Sequence, residues 1–83
     1  MVEKMNIVSV KWIDIMTYSE RTPLSVAKDS KFAMCETVGF LVYEDSSKVI
    51  LAHSLQDIPD CPEPFVSDYT VIPDGCIIER KMI

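Results

Sequence analysis

Few side chains in this sequence could do acid–base, nucleophilic or metal chemistry. The one histidine, His53, is followed by Ser54. A hydroxyl nucleophile needs a base within hydrogen-bond reach. Neighbouring residues of a strand point to opposite faces, so His53 and Ser54 cannot pair directly, and His53 is expected on a sheet surface or rim. Cys35, Cys61 and Cys76 are odd in number and widely spaced, which is no disulfide framework. No C-x-x-C pair occurs, and a Cys3His set with His53 lacks the tight two-ligand loop that zinc sites use. The thiols are expected to be reduced, at least two of them buried in strands. The carboxylate pairs Glu44-Asp45 and Asp57/Asp60 fall in expected turns and loops, where charge is ordinarily solvated. Neither Gly39 nor Gly75 opens a phosphate loop. The sequence thus assigns no catalytic residue, no metal ligand and no cofactor.

What remains is recognition chemistry. Trp12 has two readings. It packs in the core beside Val8 and Val10, or it lies partly exposed with Asp14, Tyr18 and Tyr43 as an aromatic, acidic binding surface. Aromatic rings beside a carboxylate suit peptide grooves and flat stacking sites, so Trp12, Asp14, Tyr18 and Tyr43 are the candidate binding residues.

The elements that must position these residues read mainly as strands. In 6–14, Val8, Val10 and Trp12 alternate with Ser9 and Lys11, the period of a half-buried strand. Thr22-Pro23 and several hydroxyl residues break any long helix in 15–34. That stretch reads as an irregular connection with a short helix or strand near Leu24–Lys28 and a turn at Asp29-Ser30-Lys31. Residues 37–43 and 49–54 are rich in β-branched and aromatic residues. Joined by the polar turn 44–48, they predict a hairpin. Val38, Phe40 and Val42 are placed on its core face, with Leu41 and Tyr43 on the other. The Pro-rich, acidic stretch 55–68 reads as an extended surface loop. Residues 69–72 form a short strand, Pro73-Asp74-Gly75 a tight turn, and 76–82 a last strand. The expected fold is all-β, a small five-stranded antiparallel SH3-like or Sm-like barrel, with an α+β open sheet carrying one short helix as the alternative.

Eighty-three residues make one domain. Eight Lys+Arg against thirteen Asp+Glu give a net charge of −5, which argues against nucleic acid or an anionic membrane as the main partner. The start, Met1-Val2-Glu3-Lys4-Met5, shows no secretory signal. The apolar runs are far shorter than the ~20 residues that span a bilayer, so a cytoplasmic location is expected.

The segments Lys11-Trp12-Ile13-Asp14, Val38-Gly39-Phe40-Leu41-Val42-Tyr43-Glu44-Asp45, Val49-Ile50-Leu51-Ala52-His53-Ser54 and Ile72-Pro73-Asp74-Gly75-Cys76-Ile77, in this order, resemble a family of small phage and prophage proteins. In outline these share a Lys-Trp-x-Asp start, a Val-Gly-aromatic strand and an Ile-Pro-x-x-x-Ile ending. The resemblance touches about half the chain. It implies an SH3-like barrel in the cytoplasm of a bacterial host, and it brings no catalytic residues.

Together these readings predict a non-enzymatic binding module of phage or mobile-element origin that engages a protein partner or itself. The alternative is an oligomeric binder of a small ligand, such as a nucleotide, held between subunits. That alternative needs Lys11, Lys48 or Arg80 to converge on a phosphate. A small hydrolase ranks last. Because the hairpin 37–54 is apolar on both faces, a homo-oligomer is expected to bury Leu41, Tyr43 and part of 49–54.

Overall fold

A computed structural model describes residues 5–83. Residues 1–4, on which the reading of the leader largely rests, lie outside the described residues. Five strands form one antiparallel sheet: β1 (Ile7–Asp14), β2 (Ala33–Glu44), β3 (Lys48–Gln56), β4 (Phe65–Pro73) and β5 (Ile77–Met82). Their order is β4-β3-β2-β1-β5, so the fold is the small five-stranded all-β architecture expected. The connection between β1 and β2 carries one helical turn, α1 (Leu24–Ala27), at the place the sequence indicates. Among the described residues no helix is long and apolar enough to cross a membrane.

Covalent connectivity forces this sheet to curl. β4 and β5 are its two edges, which would stand ~19 Å apart in a flat sheet at ~4.8 Å per strand. Yet they are joined by a single 3-10 turn, Asp74–Cys76, which rises only about 6 Å. The sheet closes the difference by bending round a common core. Val8 and Val10 of β1, Val49 and Leu51 of β3 and Ile72 of β4 form one buried cluster. Trp12, Leu41 and Ile77 pack against it. The Asp74 amide donates to the Ser47 carbonyl at 2.9 Å, tying the 3-10 turn to the β2–β3 turn. No ladder joins β4 to β5 among the described residues, so the curled sheet stays open.

β2 changes partner along its length. Its first half pairs with β1, from Asp14↔Ala33 to Ile7↔Phe40. Its second half pairs with β3, from Phe40↔Ala52 to Glu44↔Val49. Between Leu41 and Tyr43 the register shifts, with Val42 as the extra residue of a bulge, a standard device for turning a strand. Gly39 sits on the concave side. A Cβ there would lie 2.7 Å from the Ala52 carbonyl oxygen, so only glycine allows the two backbones to come this close.

The register reverses the expected faces of the hairpin. Leu41, opposite Leu51, faces the core. Phe40 lies on the outer face in a row with Ile7, Ala52 and Tyr69. It is half-buried, and Val38 beside it is 43% exposed. Two other expectations change. The loop expected over 55–68 shrinks to 57–64, because β3 continues to Gln56 and β4 begins at Phe65. Of the cysteines only Cys35 lies in a strand; Cys61 is in the β3–β4 connection and Cys76 in the 3-10 turn, and all three are half-buried thiols.

Candidate functional site

Trp12 leaves the proposed binding surface for the edge of the core. β1 alternation turns it to the concave side with Val8 and Val10. Its indole N–H donates to the Thr37 hydroxyl at 3.0 Å, and its ring packs on the buried cluster with Ile77. A half-buried indole whose N–H is satisfied in this way is a packing element.

Asp14 ends β1, and its carboxylate accepts the Ile15 amide at 2.8 Å. From there residues 15–32 leave the sheet as an arm. Thr22-Pro23 starts its single helical turn, with the Val26 and Ala27 amides both bonded to the Pro23 carbonyl at 3.0 Å. The Tyr18 hydroxyl donates to the Lys31 carbonyl at 3.2 Å and closes the base of the arm. Asp14, Tyr18, Val26 and Phe32 line one open cleft of about 820 Å³. The structure therefore brings Asp14 and Tyr18 together, without Trp12.

Tyr43 lies elsewhere. Trp12 is opposite Cys35, and Tyr43 is eight residues further along β2, roughly 25 Å at ~3.3 Å per residue. Its hydroxyl donates to Asp45 at 3.0 Å, and the Lys48 ammonium lies 5.5 Å from its ring centre, within cation–π range. Asp45 organises this turn. One of its oxygens accepts from the Ser47 hydroxyl (2.7 Å), the Ser47 amide (2.8 Å) and the Lys48 amide (3.0 Å). These donors, the Ser47 hydroxyl foremost, hold the carboxyl well below its usual range. The same carboxylate raises the Tyr43 phenol, by accepting its proton in a hydrogen bond and then by its charge.

The three cations that a phosphate site would need are engaged separately. Lys11 pairs with Glu79 at 3.6 Å, Arg80 with Glu44 at 3.2 Å, and Lys48 sits over Tyr43. His53 is exposed on β3. Among the described residues no group of three or more His, Cys, Asp or Glu side chains is arranged to hold a metal ion.

The exposed apolar surface is made of other residues than the sequence indicates, since Leu41 packs against the core. Ile15, Leu24, Val26 and Phe32 of the arm are 56–82% exposed. On the outer face Val38, Tyr69 and Val71 are 43–57% exposed. Polar residues of the β1–β5 side rim this patch, where the Ser9 hydroxyl donates to Glu36 at 2.7 Å and Lys11 meets Glu79. The sequence signal for the outer patch was the two-sided apolar character of 37–54. For the arm it was large apolar residues scattered through a stretch with no helical period. No protein-family model, curated protein or solved structure matches the chain.

Proposed function

We propose that this protein is a non-enzymatic interaction module of phage or mobile-element origin that works in the bacterial cytoplasm and binds protein through its arm and outer sheet face. The observation that carries this reading is the arm: its large apolar side chains stand in solvent on a segment held out from the core. Contiguous exposed apolar surface rimmed by polar groups is the mark of a protein–protein site. The dispersal of Lys11, Lys48 and Arg80 weighs against the nucleotide-binding alternative.

Site-specific photo-crosslinking in the host cell tests the reading. A photoreactive residue at Phe32 is expected to capture protein, and the same residue at Glu79, on the polar side of the sheet, is not. Absence of protein adducts from the Phe32 position overturns the proposal.

A further inference from the structure

Half of β2 has a strand partner on one side only. β1 and β2 pair without a break from Ile7↔Phe40 to Asp14↔Ala33. The Leu41 amide donates to the Asn6 carbonyl at 2.8 Å, so Leu41 turns its backbone groups toward the β1 side. Backbone groups alternate sides along a strand. Gly39, Thr37, Cys35 and Ala33 therefore also face β1, and Val38, Glu36 and Met34 point their N–H and C=O groups the other way. On that side, among the described residues, β3 pairs with β2 only between Phe40 and Glu44. Further along β3, Ser54, Leu55 and Gln56 pair with β4 alone. The half of β2 that leads out of the arm is thus a third edge of the sheet, besides β4 and β5.

This edge is unlike the other two. β4 is kinked at Asp68, with φ 53, and β5 presents Glu79, Arg80 and Lys81. Both features are defences against an added strand. Residues 33–39, Ala-Met-Cys-Glu-Thr-Val-Gly, contain no proline, lysine or arginine, and their register with β1 has no bulge. On the outer face of this edge Met34 is 61% and Val38 43% exposed, with the exposed Glu36 between them. One Glu36 oxygen accepts from the Ser9 hydroxyl. Lys11, opposite Glu36 on β1, is paired with Glu79. The edge therefore presents free main-chain groups together with a row that reads apolar, anionic, apolar.

We infer that β2 takes up an added strand: an extended segment of a partner protein pairs with residues 34–38, and its outer row carries a lysine or arginine between two apolar residues. The inference rests on the reading of the arm and outer face as a protein-binding surface, and it names the form and charge of what binds there. Main-chain hydrogen bonds to Met34, Glu36 and Val38 hold the segment, the bonding mode of strand addition. Residues directly opposite in a ladder share a face, so the cation meets Glu36 and its apolar neighbours meet Met34 and Val38. The edge begins where the arm ends, at Phe32-Ala33, so the bound segment runs beside the apolar arm.

Amide hydrogen exchange followed by NMR tests this, with the peptide acetyl-Thr-Val-Thr-Lys-Thr-Val-Thr-amide as the probe. In the free protein the Met34, Glu36 and Val38 amides are expected to exchange fast, and the Cys35, Thr37 and Gly39 amides slowly. Excess peptide is expected to slow the first three by about tenfold or more. The same peptide with glutamate in place of lysine is expected to slow them several-fold less. In Glu36→Gln, which keeps an acceptor for Ser9 and drops the charge, the two peptides are expected to act alike; if that variant does not fold, the wild-type comparison decides alone. Slow exchange of Met34, Glu36 and Val38 in the dilute free protein, no slowing by the lysine peptide, or equal slowing of wild type by both peptides overturns the proposal. So does protection that grows with protein concentration in the absence of peptide, which would make the occupant a second copy. A lysine peptide without effect, together with continued capture of protein from Phe32, rejects strand addition and leaves the interaction-module reading intact.

Discussion

At Asp45 one carboxylate organises a whole hairpin turn, and its titration has a definite sign. Its folded pKa lies below the ordinary value of 3.8, so the stability it contributes is present above that value and is lost as pH falls below it. The pH dependence of the denaturant midpoint below about pH 4 is expected to be shallower in Asp45→Asn, which keeps the acceptor oxygen and loses the charge. The same variant is expected to let Tyr43 ionise earlier in an alkaline absorbance titration, because its pKa is raised by Asp45. In the core, Leu51 is almost fully enclosed, and Leu51→Ala is expected to cost about 2–5 kcal/mol in chemical denaturation. Phe40→Ala is expected to cost less, since Phe40 lies half-buried outside. Gly39→Ala is expected to cost about 1–3 kcal/mol, because the new methyl meets the backbone oxygen of Ala52 at 2.7 Å.

At the scale of elements, alternation and β-propensity made five strands legible, and Thr22-Pro23 marked the helical turn in the arm. What was not legible has a common cause in irregular backbone. The inner positions of β2 are Cys35, Thr37, Gly39 and Leu41, less apolar than the outer Val38 and Phe40. Hydrophobicity alone therefore selects the wrong face where a tight bend demands glycine inside. The start of β4 was hidden by Asp68, which breaks the apolar pattern and adopts φ 53. This residue interrupts the β3–β4 ladder between Ser67 and Tyr69 and kinks an edge strand, a protection against edge-to-edge pairing. On the opposite edge Glu79, Arg80 and Lys81 of β5 protect by charge. A left-handed φ costs most side chains about 1–2 kcal/mol. Asp68→Gly is therefore expected to raise thermal stability, and Asp68→Val to lower it.

At the scale of the molecule, the candidate site was legible only in part. Asp14 and Tyr18 line the same cleft. Trp12 is drawn into the core by its strand parity, and Tyr43 is carried to the far end of β2, a separation that short-range spacing does not encode. The curl described above also sets an order in time. The β2–β3 and β3–β4 pairings close short loops, and Asp45 pre-forms the first of them. The β1–β5 ladder, with Val8 opposite Met82 and Trp12 opposite Ile77, must close a loop of about 70 residues, the largest entropic demand in the fold. The three-strand meander β2–β3–β4 is therefore expected to form the folding nucleus, with β5 docking after the rate-limiting step. In stopped-flow kinetics Val49→Ala should then mainly slow folding, whereas Ile77→Ala should mainly speed unfolding. A strand that joins last also leaves first, so the β1 edge under β5 is where the native protein should open most often and exchange its amide hydrogens soonest among the paired strands of its core.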